Sequence, residues 1–163
     1  MTALLNTVDP DGLLEYSVVF TDRSLNHMSA KFQGVMRDLH GMLCDVYKAD
    51  GMAIVPGGGT YAMEAVARQF GGNAHALIVR NGWFSYRWSQ IFEAGSIPAS
   101  ETVMKARRVG NGVQAAFAPA PIDEVVAKIL SDQPDVVFAP HVETSAGLIL
   151  PDDYLKAVSD AVH

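Results

Sequence analysis

The sequence predicts an α/β domain with a mostly parallel β-sheet and helices on both faces. After Gly51, short apolar runs alternate with segments of helical periodicity, as in chains of repeating strand and helix units. The runs are apolar without alternating polar residues, which is typical of parallel strands buried on both faces. With 163 residues, of which 49% are hydrophobic and 18% charged, the chain is long enough for one sizeable core.

The amino-terminal part is predicted to be different from the rest. Residues 1–23 are expected to be irregular, with Pro10 and Gly12 marking turns. A long helix is predicted to start near Ser24 or Ser29. Cys44, the sole cysteine, excludes an internal disulfide and is expected to be a buried, inert thiol of this helix. The apolar stripe consists of Phe32, Val35, Met36, Leu39, Met42, Leu43, Val46 and Tyr47.

The remaining residues, 24–163, are predicted to form one partial domain in which strands and helices alternate. Four strands are predicted, at "MAIV" (52–55), "HALIVR" (75–80), near "ETVMKAR" (101–107) and at "DVVFAPH" (135–141). Helices are predicted over roughly 61–70, over 83–95 up to Gly95, over 122–133, and over 151–163 with Pro151 in its first turn. Because the last helical pattern runs to His163 without a cap or a following strand, we expect the chain to be a piece of a longer enzyme.

The overall charge argues against two classes of partner. A net charge of −6 suits neither nucleic acid nor an anionic membrane, both of which need a basic surface. The basic run of Lys105, Arg107 and Arg108 is interpreted as a solvated strand end. The start of the chain lacks the features of a signal peptide, and no segment approaches the ~20 apolar residues of a membrane span. We therefore expect a cytoplasmic protein.

A glycine-rich loop, "VPGGGTYAMEAVA" (55–67), stands between an apolar run and a helical pattern. The first N–H groups of a helix have no intrahelical partner, and glycines allow an anion to approach the backbone there. A Walker A loop is excluded because it needs a lysine, and a dinucleotide fingerprint because the glycines are contiguous. From these residues alone, a plain turn and a phosphate-binding loop both remain open.

Two further loops follow predicted strands. "RNGWFSYRW" (80–88) contains Trp83, Phe84, Tyr86 and Trp88, which either belong to the core or offer a flat surface to a planar heterocycle. "APHVETSAG" (139–147) is a dense polar group that, taken alone, reads as a capped helix start. Ligands of open α/β sheets bind at the carboxyl ends of the strands, so three such loops in succession favour a ligand site.

These motifs resemble the class V aminotransferases, the pyridoxal-phosphate enzymes typified by alanine–glyoxylate and serine–pyruvate aminotransferases. "PGGGTYAMEAVA" is similar to that family's small-residue loop and helix, "RNGWFSYRW" to its "NGxW/F" segment, and "PHVETSAGLILP" to its "HxExSTGxxxP" segment. "DRSLNHMSAKFQGVM" resembles the family's amino-terminal helix entry. The match is collinear from about residue 10 onward. The resemblance implies part of the three-layer large domain of fold type I.

The resemblance also implies site residues. Gly58, Gly59 and Thr60 would bind the phosphate of pyridoxal 5'-phosphate at a helix amino terminus. Phe84 matches the aromatic residue that stacks on the pyridine ring, in preference to its neighbour Trp83. Thr144 matches the residue that hydrogen-bonds the phenolic oxygen of the ring. Glu143 and Ser145 are expected to support the motif, and His141 to lie nearby without a metal role.

The chemistry of the family requires residues beyond these. Its Schiff-base lysine, its aspartate against the pyridinium nitrogen and its substrate arginine all follow the third motif, so we expect no catalytic residue in this chain. The lysines present are expected to be solvated: Lys31, Lys48, Lys105, Lys128 and Lys156. The parent enzyme would be a homodimer acting on a small amino acid and a 2-oxo acid such as glyoxylate or pyruvate. A non-catalytic phosphate- or nucleotide-binding α/β domain is the alternative, and a purely structural interaction domain is a third.

Overall fold

A computed structural model describes residues 27–163, and its contacts divide the chain after Ile54 into two units. Within the described part of the first unit, helix α1 spans Ala30–Tyr47. The hydroxyl of Ser29 caps the helix by accepting from the N–H of Phe32 at 3.1 Å, so the later of the two predicted starts is confirmed. The helix ends at Lys48, whose φ of 51° is left-handed. The predicted irregular segment, with Pro10, Gly12 and Ser24, lies outside the described residues.

The prediction for Cys44 is wrong. No residue of α1 is buried, and the Cys44 side chain is half-buried with its sulfur 3.7 Å from Nδ1 of His40, one turn earlier. A helical stripe predicts which side chains share a face. Whether that face is covered depends on what packs against it.

The second unit contains the sheet, whose three parallel strands lie in the order β2 (Ser100–Lys105), β1 (His75–Arg80) and β5 (Val136–Phe138). Strand β1 is central. Its pairing with β2 begins at His75 opposite Ser100, and its pairing with β5 begins at Ala76 opposite Val136. The elements of this unit are α2 (Gly59–Gly71), β1 (His75–Arg80), α3 (Trp83–Gly95), β2 (Ser100–Lys105), β3 (Arg107–Arg108), β4 (Phe117–Ala118), α4 (Ile122–Asp132), β5 (Val136–Phe138), β6 (Val142–Glu143), β7 (Leu148–Ile149) and α5 (Asp152–Val162).

The sheet is covered on both faces, as its apolar strands predict. Alternate side chains of β1 point to opposite faces, because successive residues of a strand do so. Ile78 packs with Phe92 of α3, while Leu77 belongs to a second cluster with Val125 of α4 and Val158 of α5. The α/β fold class and the parallel sheet are therefore confirmed. None of the helices described is long and apolar enough to span a membrane.

One predicted strand is absent. Residues 52–55 pair with no described strand, and Ile54 and Val55 are exposed. An apolar run forms a strand only where a neighbour accepts its backbone hydrogen bonds, and none does so here. The strand predicted over 135–141 is shorter than expected, with only Val136–Phe138 in the sheet.

Two short hairpins were not predicted. Arg107–Arg108 pairs antiparallel with Phe117–Ala118, which encloses the polar "GNG" loop. Val142–Glu143 pairs antiparallel with Leu148–Ile149, and Gly147 in the connecting turn has a φ of 64°. The segment "APHVETSAG" is thus the start of a hairpin and not a capped helix start. Ladders of two residues are too short to leave a periodic signal in the sequence.

Candidate functional site

Helix α2 begins with an open amino terminus. Gly58 is the N-cap residue and provides no side-chain cap, and the first turn contains no acidic residue. The N–H of Tyr61 donates to the Gly58 carbonyl at 2.9 Å, whereas those of Gly59 and Thr60 donate to no residue that the structure describes. A Cβ added at Gly58 or Gly59 would meet no heavy atom within 4 Å. The helix start therefore offers free donors and open space, which suits an anion.

Gly57 has a different role in the same loop. Its φ of +133° is a conformation that side chains rarely adopt, and an added Cβ would lie 2.6 Å from Cδ2 of Tyr61. This glycine is required by the turn itself. The run of three glycines thus combines one residue needed by the backbone with two that leave room in front of the helix.

An arginine that the sequence did not single out connects the first loop to α3. Nη1 of Arg87 donates to Oγ1 of Thr60 at 2.6 Å, and the guanidinium carbon lies 6.0 Å from the centroid of the Phe84 ring. Both Thr60 and Arg87 line a cleft of about 560 Å³ between α2 and α3. Phe84 and Arg87 are three residues apart on one helix, so they share a face. This spacing from Phe84 is the sequence feature that could have identified Arg87 as a site residue.

The aromatic residues of the second loop separate into two groups. Trp88 packs into the core, with its ring centroid 4.4 Å from that of Phe138. Phe84 and Trp83 are 46% and 56% exposed, and Tyr86 lies at the surface against the Arg80 guanidinium. The core interpretation is therefore confirmed for Trp88, whereas the stacking role of Phe84 stays a prediction. Phe84 is placed where a planar ligand could reach it.

Glu143 joins the third loop to the start of α3. Its carboxylate is 1% exposed and accepts hydrogen bonds from the N–H groups of Phe84 (3.1 Å) and Ser85 (2.8 Å) and from the Ser85 hydroxyl (2.7 Å). The Ser145 hydroxyl also donates to Glu143, and its oxygen accepts from the N–H of Trp83 at 2.8 Å. The amino terminus of α3 therefore already binds an anion, which is a side chain of the chain itself.

The environment of Glu143 keeps the carboxyl ionised. Burial by itself raises the pKa, but the hydrogen bonds from Ser145, Ser85 and the backbone of Ser85 and Phe84 outweigh it, so the pKa is lowered. The charge is thus held by donors and not by a cation. Such an arrangement fixes the position of the loop that contains Thr144.

Close packing at this junction explains the glycine of "RNGW". A Cβ on Gly82 would lie 2.6 Å from Oγ of Ser145 and 2.7 Å from Cγ of Glu143. The Gly82 φ of 175° is ordinary extended backbone, so close approach and not strain requires glycine here. Asn81, Gly82, Trp83 and Ser145 line a second cleft, of about 470 Å³.

In the described part of the chain, Asn81 is a buried side chain whose amide group forms no hydrogen bond. It is 3% exposed, and neither its Nδ2 nor its Oδ1 has a hydrogen-bond partner. Its backbone N–H, by contrast, donates to the Ser85 hydroxyl at 2.8 Å. Buried amides are normally hydrogen-bonded, so the missing partners of Asn81 are an exception to the general pattern.

The three predicted loops meet at the first two turns of α3. Thr60 contacts Arg87 in the second turn, Phe84 belongs to the first, and Glu143 and Ser145 bind the backbone of the first. Thr144 itself is exposed, and its carbonyl accepts from the N–H of Gly147 at 3.4 Å. His141 is exposed as well. Thr144 is thus brought close to the α3 turn by its neighbours, while no contact of its hydroxyl is described.

Comparison with known proteins supports the fold. The chain is similar in structure to ureidoglycine-glyoxylate aminotransferase from Bacillus subtilis, with a TM-score of 0.63 and 20% sequence identity, over 81% of this chain and 33% of that chain. The resemblance to class V aminotransferases is confirmed for the fold. The chain has part of the fold-type-I architecture. The sequence matches no protein-family model, and a comparison with curated proteins gives no significant match.

The chain spans a third of the length of the aminotransferase it matches. It stays a prediction that the catalytic residues implied by the resemblance lie outside these 163 residues. Lys128 forms an ion pair with Asp132 and Lys156 with Asp160, each one turn along its helix and at 2.9 Å. Both pairs have the i, i+4 spacing of ordinary helix-surface charges.

Proposed function

We propose that the chain is the cofactor-binding part of a pyridoxal-phosphate-dependent aminotransferase. The parent enzyme would move an amino group between a small amino acid and a 2-oxo acid of the glyoxylate or pyruvate type, and it would act as a homodimer. The observation that carries the proposal is the link from Thr60 through Arg87 to Phe84, because it joins a free helix start to an exposed aromatic ring. The fold likeness to a glyoxylate aminotransferase supports it.

The residues present fit the cofactor. The free N–H groups of Gly59 and Thr60 and the open space at Gly58 suit a phosphate dianion, which needs several donors. The exposed ring of Phe84 suits the face of a pyridine ring. The exposed hydroxyl of Thr144 would donate to the phenolic oxygen. When bound, pyridoxal phosphate supplies the electron sink for amino-group chemistry.

The contribution of the chain itself is binding and orientation. The start of α2 provides partial positive charge and directed donors for the phosphate. Glu143 and Ser145 hold the loop of Thr144 against α3, because each accepts hydrogen bonds from the backbone of the turn that contains Phe84. A junction of this kind fixes the loop of Thr144 relative to the ring of Phe84.

Titration of the purified 163-residue chain tests the proposal. Binding of pyridoxal phosphate is followed by the absorbance of the pyridine ring, and pyridoxal without its phosphate serves as the comparison. We expect saturable binding of the phosphate form and much weaker binding of pyridoxal, with inorganic phosphate as a competitor. Equal affinity for both compounds, or no saturation, would exclude the assigned site. Tighter binding of a nucleotide at the same site would favour the alternative phosphate-binding domain.

Gly59→Leu sharpens this test. Because a Cβ at this position meets no atom of the chain, the variant should fold normally, and leucine is the better helix former. It would nevertheless fill the space in front of the helix and should abolish phosphate-dependent binding. Gly112→Leu is the matched control, since a Cβ there also meets nothing within 4 Å. It should bind as the wild type does.

The ring surface has its own pair of variants. Phe84→Ala should weaken pyridoxal phosphate and pyridoxal by the same factor, because stacking does not depend on the phosphate. Trp83→Ala removes a neighbouring aromatic ring of similar exposure and should leave both affinities unchanged. If Trp83→Ala caused the loss and Phe84→Ala did not, the stacking assignment would pass to Trp83.

A further inference from the structure

We propose that Arg87 is a positioning residue for the phosphate of the cofactor, acting through the hydroxyl of Thr60; this inference rests on the proposed function. A guanidinium has donors and no acceptor, so in the 2.6 Å contact Oγ1 of Thr60 must be the acceptor. The hydrogen of the Thr60 hydroxyl is then directed elsewhere. Among the residues that the structure describes, no acceptor receives it.

The hydrogen bond from Arg87 therefore leaves the Thr60 hydroxyl to act as a donor. A free threonine hydroxyl can rotate, either donating to a phosphate oxygen or pointing away from it. With one lone pair bound to Arg87, the O–H of Thr60 is left as a donor beside the free N–H groups of Gly59 and Thr60. Three donors at the start of one helix are then preorganised for the same anion, which lowers the cost of ordering on binding.

The charge of Arg87 also supports a role in phosphate binding. The guanidinium forms no ion pair with a described carboxylate, whereas the other arginine of the same cleft, Arg68, pairs with Glu64 at 2.7 Å. Glu143, the buried carboxylate of the adjoining loop, is bound by Ser85, Ser145 and backbone N–H groups. A phosphate dianion at α2 would thus meet an arginine whose charge the described chain does not neutralise.

Arg87 also touches the other half of the proposed site. Its guanidinium carbon is 6.0 Å from the Phe84 ring centroid, at the outer limit of a cation–π contact. The same side chain is therefore in contact with the residue assigned to the phosphate and near the residue assigned to the ring. Arg87 sets the relative placement of these two groups, which lie on different helices.

Binding measurements on Arg87→Met test this inference. Methionine retains much of the apolar stem and removes the charge and the donors. We expect the Kd of pyridoxal phosphate to rise about tenfold to a hundredfold, while the Kd of pyridoxal stays unchanged. Arg68→Met is the matched control, because it removes an arginine from the same cleft and should change neither Kd. Far-UV circular dichroism of each variant verifies the fold.

Two further variants keep the test decisive if Arg87→Met folds poorly. Arg87→Lys retains the charge without the planar fork and should show a smaller loss. Thr60→Val should weaken phosphate-dependent binding, and adding it to Arg87→Lys should cost less than the two separate losses combined, because both act on one hydrogen bond. Fully additive losses would overturn the route through Thr60.

The outcomes separate the two proposals. Wild-type affinity in Arg87→Met, with phosphate-dependent binding retained, would overturn the role of Arg87 and leave the proposed function standing. An equal loss for pyridoxal and pyridoxal phosphate would show that Arg87 only maintains the fold of the cleft, and so overturn it too. Absence of phosphate-dependent binding in the wild-type chain would overturn both.

Discussion

The carboxylate of Glu143 binds both the backbone N–H and the hydroxyl of Ser85, a residue 58 positions earlier in the chain, at 2.8 and 2.7 Å. This contact makes a residue of the β6–β7 hairpin the cap of a helix. It satisfies donors that the first turn of α3 cannot satisfy itself, and its anion interacts favourably with the helix dipole. The same contact holds the second and third loops of the candidate site together.

Removal of the Glu143 carboxylate should therefore destabilise the chain strongly. We expect Glu143→Ala to lower the free energy of unfolding by roughly 2–4 kcal/mol, because several buried donors lose a charged acceptor. Glu143→Gln should also destabilise the chain, since the amide nitrogen of the glutamine would face N–H and O–H donors. Urea denaturation followed by circular dichroism measures both losses. Glu124→Gln, which breaks an exposed ion pair with Arg107, is the control and should have a much smaller effect.

The stability of the chain should fall in acid, in part through Glu143. Its pKa is lowered in the folded state, so its contribution is fully present above its ordinary value of 4.5 and is lost as the pH falls through the folded pKa. The difference in unfolding free energy between wild type and Glu143→Gln should thus be constant near neutral pH and shrink below about pH 4.5. A difference that stays constant down to pH 2 would contradict the lowered pKa.

Gly82 should be intolerant of even a methyl group. Gly82→Ala places a Cβ within van der Waals overlap of Ser145 and Glu143, and we expect it to cost about 1–3 kcal/mol by forcing the two loops apart. Thermal unfolding monitors the loss. Gly112→Ala adds the same methyl group in open space and should change stability little. Equal stability of the two variants would show that the junction is looser than described.

The unpartnered amide of Asn81 leads to an unusual expectation for an apolar substitution. Asn81→Leu removes two buried polar atoms that lack hydrogen-bond partners, so the ligand-free chain should become more stable, by about 1 kcal/mol or more. Asn81→Asp, which would place a charge in the same surroundings, should destabilise it. A clear loss of stability in Asn81→Leu would instead reveal that the amide is satisfied in solution.

Elements with strong local signals could be predicted from the order of the residues alone. Strand β1 was predicted with its observed bounds, His75–Arg80, because an unbroken apolar run between polar ends leaves little choice of length. Helices α3, α4 and α5 followed from their periodicity, and the parallel sheet followed from strands that are apolar on both faces. The three loops were identified because glycine, aromatic and polar residues follow successive apolar runs.

Features that depend on contacts between distant residues could not be predicted from local patterns. Residues 52–55 are as apolar as a strand but have no described neighbour to pair with, and no residue of the helix stripe around Cys44 is buried. Arg87 was missed because its contact with Thr60, 27 residues earlier, exists only through the packing of α2 against α3. Glu143 became a helix cap in the same way. Local patterns fix which residues share a face, while the partner of that face is set by contacts between residues far apart in the chain.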